Sequence, residues 1–219
     1  MKYFPTVFII SVLTILSLHA QKRPLNRFNA GVVVGINTSQ INGDHLSGYD
    51  KFGFFTGIRA TANLNTNAEL VVEMQFIRKG STDPDQFVAG EKRSRFIALD
   101  YIEVPILYHH KIESKVGKIG LEAGIAFGRL FGFRINENAN TINYTTFSSK
   151  QEEFKKNELA LIMGSGIFVN EQIRVMGRFN YSLTLFYENE NPTIDVAGDI
   201  PSINDLRNLY LSLGVNYIF

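Results

Sequence analysis

The sequence predicts an all-β fold, an eight-stranded antiparallel up-and-down transmembrane β-barrel following a cleaved signal peptide. Three observations point there. Segments with period-two alternation, apolar on one face and polar or small on the other, recur along the 219 residues. The connections between them alternate long and short, the asymmetry of barrels with brief periplasmic turns and longer outer loops. The stretch Tyr210–Phe219 places Leu211, Leu213, Val215, Tyr217 and Phe219 on one face and Ser212, Gly214 and Asn216 on the other, an amphipathic strand with an aromatic end.

Composition narrows the alternatives. There is no Cys, so a disulfide framework and a thiolate metal site are both excluded. The formal net charge of +1 gives no electrostatic footprint for nucleic acid. Mean hydropathy is −0.02, and no apolar run after the N-terminus reaches the roughly 18 residues of a spanning helix. A membrane reading therefore rests on strands. Eighteen Phe, nine Tyr and eighteen Gly suit a protein built from closely approaching strands.

At the N-terminus, Lys2 precedes an apolar segment from Val7 to Leu18, and Ala20 precedes Gln21. That is the layout of a secretory signal peptide. The expected division is residues 1–20 as signal peptide and 21–219 as the barrel domain.

The first strand runs from Phe28 to Asn37, with Ala30, Val32, Val34 and Ile36 opposing Gly31, Val33, Gly35 and Asn37. Asn42-Gly43-Asp44 and Ser47-Gly48 then supply turn chemistry. The second strand, Phe52 to Leu64, and a third beginning near Glu69 are separated only by Asn65-Thr66-Asn67. Gly80 to Ser94 reads as a polar loop. In the fourth strand, Arg95 to Ile112, Ile97, Leu99 and Tyr101 share one face before Ile102, Val104, Ile106 and Tyr108 take over on the other. A one-residue phase change predicts a β-bulge there, and Pro105 predicts locally irregular pairing. The fifth strand opposes Ile119, Leu121, Ala123, Ile125 and Phe127 to Gly120, Glu122, Gly124, Ala126 and Gly128. Phe133 to Lys156 form a long loop. The sixth strand, Asn157 to Val169, is apolar on both faces between Leu159 and Met163. Asn170-Glu171 turns the chain into the seventh strand, Ile173 to Leu185, and a loop containing Pro192 and Pro201 leads to the closing strand.

Alternation alone fits equally a soluble lipocalin-like binding barrel turned inside out. Aromatic positions favour the membrane. Phe52, Phe54, Phe76, Phe96, Tyr101, Phe131, Phe133, Phe154, Phe186 and Tyr210 lie towards the long-loop end; Phe28, Tyr108, Tyr217 and Phe219 lie towards the short-turn end. Two girdles are the expectation for a lipid band. The polar faces carry Arg59, Glu69, Glu73, Glu103, Glu122, Glu158, Arg174 and Arg178. A buried charge without a partner is costly, so these residues predict a cross-lumen ion-pair network. The apolar faces are nearly free of charge, as they must be when a lipid-facing Arg or Lys costs about 2–4 kcal/mol at midplane. Arg129 is the exception.

Gly35-Ile36-Asn37-Thr38-Ser39-Gln40-Ile41-Asn42-Gly43-Asp44, followed by Gly48-Tyr49-Asp50-Lys51-Phe52-Gly53-Phe54-Phe55-Thr56-Gly57, resembles the first hairpin of the PorT-like outer-membrane β-barrel family. Tyr101-Ile102-Glu103-Val104-Pro105-Ile106-Leu107 resembles that family's Glu-x-Pro strand. The resemblance spans the mature chain. It implies a small outer-membrane barrel, and one founding member is associated with protein export across that membrane. The insertion machinery would read Gly214, Val215, Tyr217 and Phe219 as the assembly signal.

No catalytic, cofactor or metal residues are expected. His109 and His110 are adjacent on a strand and point to opposite faces, so they cannot chelate one ion together. Asn42-Gly43-Asp44 has too few carboxylates nearby for a dedicated Ca²⁺ site. Among the residues of the outer loops only His45 is a histidine, a thin basis for an acid–base–nucleophile set. The expected function is therefore non-enzymatic: a structural or protein-interaction barrel in the outer membrane of a Gram-negative bacterium. Its expected partners are outer-membrane lipid, the insertion machinery and an unidentified protein, with no nucleic acid. A lipid-modifying enzyme is the competing reading.

Overall fold

Strands whose two faces differ in polarity need two different environments, and closing the sheet supplies them. The computed structural model describes residues 27–42, 49–82, 86–88, 91–93, 95–115, 117–137, 154–187 and 206–219. Its strands are β1 (Phe28–Asn42), β2 (Lys51–Asn63), β3 (Ala68–Thr82), β4 (Gln86–Val88), β5 (Glu91–Arg93), β6 (Arg95–Ser114), β7 (Gly117–Glu137), β8 (Asn157–Phe168), β9 (Ile173–Ser182) and β10 (Arg207–Ile218). Eight form a closed barrel in the order β1-β10-β9-β8-β7-β6-β3-β2, all neighbours antiparallel. The pair β4–β5 is a small separate hairpin within the segment expected as loop. The signal peptide, His45 and the Gly43–Asp44 turn lie outside the described residues, as does the side chain of Phe96.

Closure joins β1 to β10 from Gly31↔Ile218 to Asn42↔Arg207, leaving no open edge in the barrel. Two short-turn ends are fixed by asparagine side chains. Asn65 Oδ1 accepts from the Asn67 backbone N–H, and Asn170 Oδ1 accepts from those of Gln172 and Ile173.

The outer wall carries a belt of exposed apolar side chains, including Val32, Val34, Ile36, Ile58, Met74, Ile102, Ile106, Ile125, Phe127, Leu161, Met163, Val175, Leu213 and Val215. A soluble barrel would bury this face, because apolar patches of such extent are not left in water. Inside this belt the lumen holds the charges.

Above the belt, towards the long-loop end, the polarity reverses. Thr38, Gln40, Arg78 and Asp100 lie on the outer face there, while Ile41, Ile77, Ile97, Leu99 and Leu130 are buried inside. This reversal corrects the expected phase change in the fourth strand. In β6, Ile97, Leu99, Tyr101, Glu103, Pro105, Leu107 and His109 all face inward without interruption. The apolar face switches sides because the strand passes from water into lipid, with no extra residue in β6. A register shift does occur opposite Asp100/Tyr101, but the extra residue is Phe131 of β7, between Leu130 (paired with Tyr101) and Gly132 (paired with Asp100). Pro105 leaves its mark on the other side. The β3–β6 ladder runs to Val72↔Ile106 and resumes at Gln75↔Glu103.

The aromatic girdles also need correction. Phe52, Phe54, Phe131 and Phe133 are exposed at the long-loop end, and Phe28, Tyr108, Tyr217 and Phe219 at the other. Tyr101 and Tyr210 instead point into the lumen, and Phe154 and Phe186 are buried against each other at 5.5 Å between ring centroids. These four are core. Tyr101 and Tyr210 turn inward because their parity matches the lumen face, whereas Phe154 and Phe186 lie outside the strands and pack on each other.

Candidate functional site

The lumen is the site the sequence singled out, and all eight of its predicted charges are buried there. They fall into three tiers. In the middle tier Arg178 bridges two walls: Nη1 and Nη2 donate to Glu73 Oε2 and Oε1 at 2.6 and 2.8 Å, and Nε donates to Glu122 Oε1 at 2.5 Å. Strands β9 and β3 stand four places apart in the eight-strand order, so Arg178 and Glu73 meet across the full diameter. Arg59 Nη1 donates to Glu73 Oε1 at 2.9 Å from the neighbouring strand, where the two residues are register partners. Arg174 Nη2 pairs with Glu122 Oε2. Three guanidinium groups thus serve two carboxylates with forked, charge-assisted bonds.

The tier nearer the long loops centres on Lys79. Its Nζ donates to Glu103 Oε1 at 2.7 Å and Glu158 Oε2 at 2.6 Å, and it lies 4.2 Å from the Tyr101 ring centroid. Tyr210 Oη donates to Glu103 Oε2 at 2.8 Å, again from the diametrically opposite wall. Gln75 and Asn208 each donate at 3.3 Å, to Glu103 and Glu158 respectively. Lys79 is 0 % exposed, so it is held entirely by these partners. Near the short-turn end Glu69 meets His109 Nδ1 at 2.8 Å and pairs with Lys111.

Between tiers the lumen is filled by apolar side chains. Val71, Leu107, Ala126 and Ile162 form one cluster; Phe55, Ile77, Leu99, Met176 and Tyr210 belong to a larger one at the long-loop side. Phe55 shows how tightly: a Cβ placed on Gly35 would stand 2.5 Å from its ring. Of the eight expected charges, Arg59, Glu73, Glu122, Arg174 and Arg178 bond to one another, whereas Glu103, Glu158 and Glu69 are met by Lys79, His109 and Lys111, which the expected network did not include; Gln75, Tyr210, Asn208 and Phe55 were likewise outside it. Lys79 carried the same parity as Glu69, Glu73 and Gln75, so its inward direction was readable. Tyr210 shares parity with Ser212, Gly214 and Asn216, the signal that could have removed it from the girdle. Arg129, the charge on the apolar face, points outward and donates to Asn157 Oδ1 at 2.5 Å.

Residues 19–188 match the family model described as "Outer membrane protein beta-barrel domain". The chain belongs to this family. It is an outer-membrane β-barrel protein. Among curated proteins none matches in sequence. Solved structures similar to it include Ail, the attachment invasion locus protein of Yersinia pestis, in complex with the heparin analogue sucrose octasulfate, at 12 % identity and a TM-score of 0.46, covering 88 % of this chain and 99 % of that one. Neisserial surface protein A is similar at 12 % identity and a TM-score of 0.42, covering 89 % and 98 %. The N-terminal barrel domain of Pseudomonas aeruginosa OprF is similar at 10 % identity and a TM-score of 0.37, covering 87 % and 98 %.

The family places the exposed apolar belt against lipid.

Proposed function

We propose that this outer-membrane barrel is a non-enzymatic scaffold in the envelope of a Gram-negative bacterium, delivered by a cleaved signal peptide. It engages a protein partner through its long outer loops or its periplasmic face. The observation that carries this reading is the bracing of the lumen across its diameter by Arg178–Glu73 and Tyr210–Glu103. Side chains fill an eight-stranded barrel in this way, so the interior serves rigidity rather than transport. Work on other molecules then falls to the surfaces that the barrel presents. The PorT-like resemblance supports placing that partner within protein export.

The reading is tested by in-cell crosslinking from the outer loops and the periplasmic turns, followed by capture of the intact barrel. A defined crosslinked protein is expected, and its absence from both faces would leave only a passive structural role. Lipid A from a deletion strain is expected to keep its mass; a shifted acyl or phosphate pattern would favour the enzymatic alternative. In planar bilayers the purified barrel is expected to be silent, and a porin-like conductance would overturn the filled-lumen argument.

A further inference from the structure

At the short-turn end of the lumen the two nitrogens of one imidazole meet unlike surroundings. His109 is fully buried, and its Nδ1 lies 2.8 Å from Glu69 Oε2. Lys111 Nζ pairs with the other oxygen of the same carboxylate. An ionised carboxylate only accepts, so Nδ1 carries the imidazole proton and Nε2 keeps its lone pair. Nε2 has no hydrogen-bond partner among the described residues. It abuts Gly120 of β7, where a Cβ would stand 2.1 Å from it, and the ring lies 5.8 Å from that of Phe168 on β8. Cations gather on the same phenyl ring: Lys111 Nζ at 5.8 Å from its centroid, Lys118 Nζ and Arg174 Cζ each at 5.9 Å. The carboxylates of the surrounding strands are already engaged. Glu122, opposite His109 in register, is bound by Arg174 and Arg178, and Glu73 by Arg59 and Arg178. Lys118 lies 3.3 Å from Glu171, and exposed Glu113 stands opposite Lys118 at the rim. Residues 1–26 and Val116, which adjoin this end in the chain, include no Asp or Glu.

Protonation would put an N–H on Nε2, facing Gly120 and Phe168, and a positive charge beside Lys111, Lys118 and Arg174. A buried donor without an acceptor carries its full desolvation cost. Glu69 favours the charged ring, but its charge is shared with Lys111, so it offsets only part of that cost. We propose that His109 is a pH-sensitive latch of the short-turn mouth. Neutral, it ties β6 to β3 and packs against β7 and β8; protonated, it leaves that packing and loosens the strand ends around it. An imidazole in an unfolded chain titrates at about pH 6.5. Below that value the unfolded chain binds the proton that the closed latch refuses, so stability present at higher pH is lost as the pH falls. The latch needs only the closed barrel and does not depend on the scaffold reading.

The test uses the full barrel refolded in detergent micelles, with urea unfolding followed from about pH 8 down to about pH 5.5, above the range where ordinary carboxylates titrate. Over that interval the unfolding equilibrium constant of the parent should rise about three- to tenfold more than that of His109→Gln, which keeps a donor for Glu69. The upper figure is the limit for one imidazole that takes its proton only in the unfolded chain. His110→Gln, on the outer wall, should behave as the parent does. Lys111→Gln leaves Glu69 to His109 alone and should shrink the rise; it serves if His109→Gln does not fold. Hydrogen exchange at Gly166–Phe168, read at the low-pH end, should be faster in the parent than in His109→Gln. Equal pH dependence or equal exchange in the two proteins would overturn the proposal, as would an undiminished rise in Lys111→Gln. Nitrogen chemical shifts showing both ring nitrogens of His109 protonated at neutral pH would overturn it as well. Heat-modifiable gel migration is read in parallel. A parent protein without it would sink the membrane barrel itself, whereas a folded barrel whose stability ignores His109 would sink the latch alone.

Discussion

Lys79 shows how a single side chain holds its surroundings. It is the cation between Glu103 and Glu158, and each carboxylate takes its other bonds from neutral donors, Tyr210, Gln75 and Asn208. Lys79→Met leaves two buried carboxylates facing each other. Its expected cost is about 3–5 kcal/mol, the range for breaking a buried pair by removing one partner, measured by urea unfolding of the refolded barrel. Adding Glu103→Gln and Glu158→Gln should recover most of the loss, since the neutral donors can still bond to amide oxygens. A triple variant as unstable as Lys79→Met would show that the tier's charge balance is irrelevant. Gly35 makes the complementary point about volume. With Phe55 where a Cβ would stand, Gly35→Val should cost at least about 1–3 kcal/mol through overpacking, read in the same unfolding assay.

At the scale of the strand, β6 carries the reversal of polarity. Leu99, above the lipid belt, is buried in the lumen, while Met74 of β3, at belt level, faces outward. Leu99→Ala should therefore cost about 2–5 kcal/mol in denaturant unfolding. Met74→Ala, which loses only contact with lipid or detergent, should cost less than half as much; equal costs would contradict the assignment of faces. The strand β10 has a different role. Tyr217 pairs with Val32, and Phe219, 72 % exposed, donates its backbone N–H to Ala30 O at 2.9 Å. Deleting Phe219 removes one hydrogen bond and little packing from the finished barrel. It is expected to lower the amount of barrel in the outer membrane far more than it lowers the unfolding midpoint of barrels already inserted. Membrane levels equal to the parent would overturn that. The strands were legible because period-two alternation survives on either side of the lipid boundary. Their long-loop ends were not, because there the apolar face lies inside, and following one face assigns to β6 an extra residue that belongs to β7, Phe131.

The barrel as a whole is braced by bonds between residues about a hundred positions apart in the chain, such as Glu73 with Arg178 and Glu103 with Tyr210. Closing the sheet brings these walls together, and the bonds then resist flattening or opening. Replacing Tyr210, Glu158 and Arg178 by Ala in one protein removes both cross-diameter braces. If that variant still shows heat-modifiable migration, it should conduct small ions in planar bilayers where the parent is silent. A folded but silent triple variant would locate the plug in the apolar layers instead.

The sequence by itself determined the number of barrel strands and their antiparallel order. Each of these follows from local parity and from connection length, which need no knowledge of distant residues. Only the tertiary structure decided which charge meets which, that Lys79 and Tyr210 complete a buried tier, and that Phe131 is the bulged residue. Those facts depend on stagger around a closed ring, where one residue of register moves a side chain to the other face. The position of the lipid boundary along each strand was likewise decided there. It is set by where the outward faces of eight strands change polarity at the same height, and no single strand contains that information.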